Sequence, residues 1–227
     1  MELNNRQIPP CMIGTWAWGT GSNGSKIVFG KKYDEIQLKE TFLTACNAGF
    51  YIWDTAEIYG MGNAEKFLGK CRNYNSNIFI STKFHSKKRE KSGAVNKALH
   101  NSLNRLGVEH IDLYWLHRPY NIRENMVEMA ICVKQGLIQK TGLCNCNISQ
   151  IKEAQAELKK YGLKLYAVQN HYRLLTIERQ REVLDYCVAN DVLFFGYMVL
   201  EQGALTGRWD EKHPLPILSY RGIAFHK

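Results

Sequence analysis

The chain has 227 residues, 45% hydrophobic and 22% charged, with a formal net charge of +9. That length is close to the ~250 residues of one (β/α)8 barrel, and the composition is ordinary for a soluble globular protein. The positive excess sits in local runs such as Lys87-Lys-Arg-Glu-Lys91. With no helix-turn-helix, zinc-finger or RNA-binding signature, nucleic acid is not an expected partner. Nor is a membrane, because no apolar stretch approaches the ~20 residues that span a bilayer.

Short apolar runs alternate with amphipathic segments. Cys11 to Trp18 reads as a first strand. Asp34 is a plausible N-cap for a helix from Glu35 to Ala48, in which Ile36, Leu38, Phe42, Leu43 and Ala45 keep helical periodicity, and Gly49 stops it. A strand from Tyr51 to Asp54 follows, then a short helix near Asn63 to Lys70 and a strand from Ile78 to Lys83. A helix from about Ser92 to Leu106 ends at Gly107, and Ile111 to His117 forms the fourth strand, halted by Arg118-Pro119.

The second half repeats the rhythm. Helices are expected over 123–135, 149–161 and 177–190, and strands over 138–144, 165–170 and 192–197. Near-continuous apolar strands separated by helices point to a parallel sheet buried on both faces, hence an α/β fold of the TIM (β/α)8 type. With no linker and no low-complexity segment, residues 1–227 read as a single domain with an atypical tail over 210–227. The eighth βα unit is missing from the pattern, and Ile217 to Tyr220 is a weak strand candidate at best. A barrel lacking that strand leaves the first and seventh strands with open edges, so self-association through them is expected.

Seven scattered cysteines, mostly within apolar segments and with no signal peptide before them, suggest free thiols in a cytoplasmic setting. Cys144-Asn-Cys146 lacks the spacing and the second pair of a zinc site, so no metal is expected.

Three strands end in proton-handling groups: Asp54, with Tyr59 five residues on, then Lys83, then His117. Such groups at the ends of different strands of a parallel barrel share one rim, where barrels collect their chemistry. Each also has a plain reading: Asp54 as a turn or cap residue, Tyr59 as a packed loop aromatic, Lys83 as a strand-end lysine reaching for water, His117 as a satisfied strand-end histidine. Trp16 and Trp18 leave the first strand beside the expected site, where Trp16 either lines a pocket or plugs the barrel and Trp18 favours packing. Asn145 and Gln169 read as buried polar residues that need partners.

The chain resembles the aldo-keto reductase family. The likeness rests on Gly14-Thr-Trp16, Asp54-Thr-Ala-Glu-Ile-Tyr-Gly60, Ser81-Thr-Lys83, Ser102 to Gly107 before Ile111 to His117, Gly142-Leu-Cys-Asn145, Gln169-Asn170 and Gly203-Ala-Leu-Thr-Gly207, in order from about residue 8 to residue 209. The resemblance implies a TIM barrel that reduces a small-molecule aldehyde or ketone by hydride transfer from NADPH. It implies catalytic roles for Asp54, Tyr59, Lys83 and His117: Tyr59 as proton donor, Lys83 lowering the phenol's pKa, Asp54 anchoring Lys83, and His117 orienting the carbonyl.

It also implies cofactor contacts from Trp16, Asp54, Asn145, Gln169, Tyr197, Met198, Leu200, Gly203 and Leu205. Tyr197 would stack under the nicotinamide, and the run from Met198 to Leu205 would pass over the pyrophosphate. Cys144 and Met198 stand where the family commonly has serine. The groups that grip the adenosine 2′-phosphate have no counterpart here, which leaves NADPH against NADH open. A second reading is a non-catalytic binding or regulatory protein with weak or no cofactor binding.

Overall fold

A computed structural model describes residues 2–3, 6–20, 29–30, 32–89, 91–174, 177–207 and 209–214. Seven strands form one parallel sheet in chain order: β1 (Ile13–Gly14), β2 (Ile52–Asp54), β3 (Phe79–Phe84), β4 (Ile111–Leu116), β5 (Ile138–Cys144), β6 (Ala167–His171) and β7 (Leu193–Tyr197). Six helices alternate with them: α1 (Glu35–Asn47), α2 (Asn63–Cys71), α3 (Ala94–Leu106), α4 (Ile122–Lys134), α5 (Ile148–Lys159) and α6 (Glu178–Ala189). This is the expected barrel architecture. Among the described residues no strand joins β1 to β7, and the expected weak strand at 217–220 lies outside them.

Local chemistry sets the helix starts. Asp34 and Gln37 form a reciprocal capping box before α1, and Asn147 and Gln150 form one before α5. Helix α3 has no side-chain cap of its own; Glu128 of α4 accepts from the backbone amides of Gly93 (2.6 Å) and Val95 (3.0 Å), so a neighbouring helix satisfies its first turn. No helix among the described residues is long and apolar enough to cross a membrane.

The period of two in the strands decides which side chains meet inside the barrel. On β4, Leu113 and Trp115 point into the inner cluster, while Tyr114 and Leu116 face the helices. On β3, Phe79 lies inside and Ile80 and Phe84 lie outside, so Ser81 and Lys83 take the inner face with Asp54 of β2. Trp115 fills the middle of the barrel beside Gly142, where a Cβ would lie 2.2 Å from its ring. Strand β7 differs: its residues are only partly buried and Gly196 is exposed, whereas all of β4 except Asp112 is buried.

The first strand is shorter than expected. Only Ile13 and Gly14 pair with β2, and Trp16–Trp18 form a 3-10 turn. The Thr15 amide (2.9 Å) and hydroxyl (3.1 Å) both donate to the Asp54 carbonyl, while the Thr15 carbonyl accepts from Trp18, which bends the chain away from the sheet.

Candidate active site

Asp54 closes β2 and Lys83 stands one residue before the end of β3, both on the inner face. The Lys83 ammonium, 1% exposed, donates to Asp54 Oδ2 and to the Thr55 carbonyl (2.8 Å). Asp54 Oδ1 accepts from the Ser81 hydroxyl (2.7 Å), which accepts from the Trp115 indole (2.6 Å). The Gln169 amide also reaches Asp54 Oδ2, at 3.5 Å, and its own carbonyl takes the Cys144 thiol at 3.7 Å. Asp54 is thus held from three sides, and Lys83 from two.

Tyr59 sits on the turn after β2, with its ring centroid 5.2 Å from Lys83 Nζ. Trp16 stacks on it at 6.0 Å, and the His117 ring meets it edge-on at 6.2 Å. The turn is fixed by a backbone crossing: Gly60 adopts φ +57, and a Cβ there would lie 2.4 Å from Gly19 Cα and from the Thr20 amide nitrogen. The backbone amide of His117 is held by the Phe84 carbonyl (2.9 Å), so the ring stands just beyond β4 rather than on its last residue.

Trp16, Asp54, Tyr59, His117, Asn145, Gln169, Tyr197 and Met198 line one cavity of about 340 Å3, joined by Gly14 and Ile58. Lys83 lies beneath it. Leu200, Gly203 and Leu205 do not reach the cavity wall; they lie on or next to the 3-10 turn Glu201–Thr206, with Leu200 and Leu205 exposed. Asn145 is exposed rather than buried, with φ +58; its amide donates to the His117 carbonyl (2.9 Å) and its oxygen accepts from the Tyr197 hydroxyl. Trp18 packs on Trp53 in the outer core and not at the site.

The electrostatics follow from burial and one fixed charge. Burial raises the Tyr59 phenol's pKa, and the pull of Lys83 does not reverse it, so the net direction is up and not down as the sequence suggested. Burial works against the Lys83 ammonium, but Asp54, with a smaller contribution from Tyr59, outweighs it and the net direction is up. Burial, with Lys83, His85 and Arg118, drives His117 down to about 2, so its imidazole is neutral, and its Nδ1 is buried without a partner among the described residues.

This gives a stability signature. Between about 2 and 6.5 the unfolded chain protonates His117 and the folded chain does not, so stability is lost as pH falls below 6.5. His171, also lowered by burial and by Arg173, adds the same sign. The drop in melting temperature from pH 8 to about pH 5 is expected to shrink in His117→Gln. An unchanged drop would place the acid-sensitive group elsewhere.

Sequence reasoning missed two residues beside the cavity: His171, whose ring lies flat on Tyr197 at 5.1 Å, and Arg173, with its pairing to Glu201 of the 198–205 run. Adjacency to Gln169-Asn170 was the available signal for His171; the pair joins positions 28 residues apart, which no local pattern reveals.

A sequence profile described as the Aldo/keto reductase family matches residues 10–216. The chain is 30% identical to a Schizosaccharomyces pombe protein named aldo-keto reductase yakc [NADP(+)], over 97% of this chain and 66% of that protein. It is 27% identical to chloroplastic pyridoxal reductase of Arabidopsis thaliana, over 92% of this chain and 61% of that one. The chain therefore spans less than two thirds of the length of these relatives. Among solved structures, a thermostable aldo-keto reductase in complex with the inhibitor epalrestat superposes with a TM-score of 0.78 at 27% identity, covering 93% of this chain and 75% of that one.

Proposed function

This chain belongs to the aldo/keto reductase family, and on that premise we propose that it reduces an aldehyde or ketone by hydride transfer from NADPH, with Tyr59 supplying the proton. The observation that carries the reading is the Lys83–Asp54 pair lying under Tyr59, with His117 at the same mouth.

The residues present fit a nicotinamide. The cavity wall offers the Gln169 and Asn145 amides for a carboxamide and the Tyr197 ring for a flat aromatic face. The bound cofactor supplies the hydride. Everything else falls to the chain. A carbonyl gaining hydride builds negative charge on oxygen, and that charge needs donors. A phenol keeps its proton at neutral pH, and burial of Tyr59 only strengthens that, so the acid is loaded. An alkoxide is a stronger base than a phenolate, so the proton moves only as the charge develops. The Lys83 ammonium then faces the new phenolate, and Asp54 holds that ammonium in place. Neutral His117 presents one ring N–H to orient the carbonyl without competing as an acid.

The relative whose name carries NADP(+) supports the choice of cofactor. Titration with NADPH, followed by its fluorescence, is expected to show binding at micromolar levels or tighter, with turnover of a generic aldehyde. The second reading, a binding protein without turnover, is favoured by the open sheet between β1 and β7 among the described residues; absence of NADPH binding would select it. The same open edges motivate self-association, which light scattering tests, a monomer at all concentrations counting against it. Seven scattered cysteines, mostly within apolar segments, support a reducing, cytoplasmic setting.

A further inference from the structure

Past the Tyr197 end of the cavity, His171 Nε2, Arg173 Nε and Glu201 Oε1 are buried and lack partners among the described residues. Glu201 is 2% exposed, and its other oxygen lies 3.4 Å from Arg173 Nη1. That is long beside the ~2.8 Å of a good guanidinium–carboxylate bond. The carboxylate is thus buried and half satisfied, an arrangement that costs free energy. Its backbone is strained as well: Glu201 has φ +49 and Met198 has φ +57, a region that favours glycine. The turn bearing Glu201 leads directly from Tyr197 and Met198 of the cavity wall.

We propose that Arg173 is the residue that binds the pyrophosphate of the dinucleotide, and that Glu201 is a displaceable stand-in that limits how tightly the site takes it. The inference rests on the cofactor reading above. A dinucleotide whose nicotinamide faced Tyr197 would bring its phosphates near the 201–206 turn that follows Met198, where Arg173 offers a guanidinium among the described residues. A pyrophosphate offers paired anionic oxygens, which suit a planar fork better than one oxygen at 3.4 Å. Arg173 Nε, unpaired now, gains an acceptor, and His171 Nε2 lies next to the same path. Glu201 carries the wrong sign for this place. It competes for Arg173 when the site is empty and repels the phosphates when the site fills.

The test measures two ligands, NADPH by fluorescence and inorganic pyrophosphate by calorimetry, on the wild-type chain, Glu201→Gln and Arg173→Gln. Removing the carboxylate charge is expected to lower both dissociation constants by roughly tenfold, and removing the guanidinium to raise both by a similar factor. Circular dichroism melts confirm that each variant folds, and Arg173→Gln keeps the test decisive if Glu201→Gln does not. The assignment is overturned if Glu201→Gln leaves both constants within about twofold of wild type, or if Arg173→Gln binds pyrophosphate as well as wild type does. If no form binds NADPH while Glu201→Gln still gains affinity for pyrophosphate, the nicotinamide reading fails and the Arg173 assignment stands.

Discussion

Tyr59→Phe is expected to lower turnover of an aldehyde by about 10²- to 10⁴-fold, the range spanned by positioned proton donors. The same change is expected to cost no more than about 1 kcal/mol of stability. The ring, and with it the stacking against Trp16 and the edge contact with His117, is kept; only the hydroxyl goes. Lys83 retains Asp54 and the Thr55 carbonyl, so no buried charge is stranded. Single-turnover kinetics with NADPH separate the chemical step from binding. The donor is wrongly assigned if the variant turns over at the wild-type rate. A second expectation follows from the raised phenol: reduction stays level across neutral pH and declines only in strong alkali, as the proton is lost.

The second large effect is on folding, and it is asymmetric. Asp54→Ala leaves the Lys83 ammonium, 1% exposed, with the neutral Thr55 carbonyl and Tyr59 phenol in place of its carboxylate; stranding a buried charge in this way costs about 3–5 kcal/mol. Lys83→Met leaves Asp54 with the Ser81 hydroxyl and the Gln169 amide still donating to it, so the expected loss is smaller, about 1–3 kcal/mol. The double variant is expected to recover part of the Asp54→Ala loss, because the stranded ammonium is gone. Urea unfolding midpoints rank the three. Lys83→Met proving the least stable would mean that the lysine, and not the carboxylate, holds this part of the barrel together. Both single variants are also expected to lose the proposed activity, so stability is the informative readout.

The barrel was legible because its signal is local. Apolar strands, capping residues such as Asp34 and glycine stops recur at short range, whereas the near-continuous apolar runs hide which side chains face inward, and the ladder that pairs Lys83 with Trp115 decides it. Boundaries were less legible. The ladder extends β3 to Phe84, which pairs with Leu116, and leaves His117 outside the strand. Trp16 and Trp18 have the composition of a strand, yet the hydrogen bonds of Thr15 curl them into a 3-10 turn.

At the site, residue types were readable and environments were not. Burial of Tyr59 outweighs the pull of Lys83, a balance that depends on surrounding atoms. Asn145, expected to be buried, is exposed and engaged by His117 and Tyr197 from two other strand ends.

The crossing of Gly19 and Gly60 has an evolutionary consequence. The height of the phenol above the lysine is set where two main chains touch without any side chain between them. A methyl group on either glycine pushes the two loops apart before it disturbs any strand. Substitutions at these two positions therefore offer the lineage a route to a folded, silent protein in a single step, with every proton-handling side chain still in its gene.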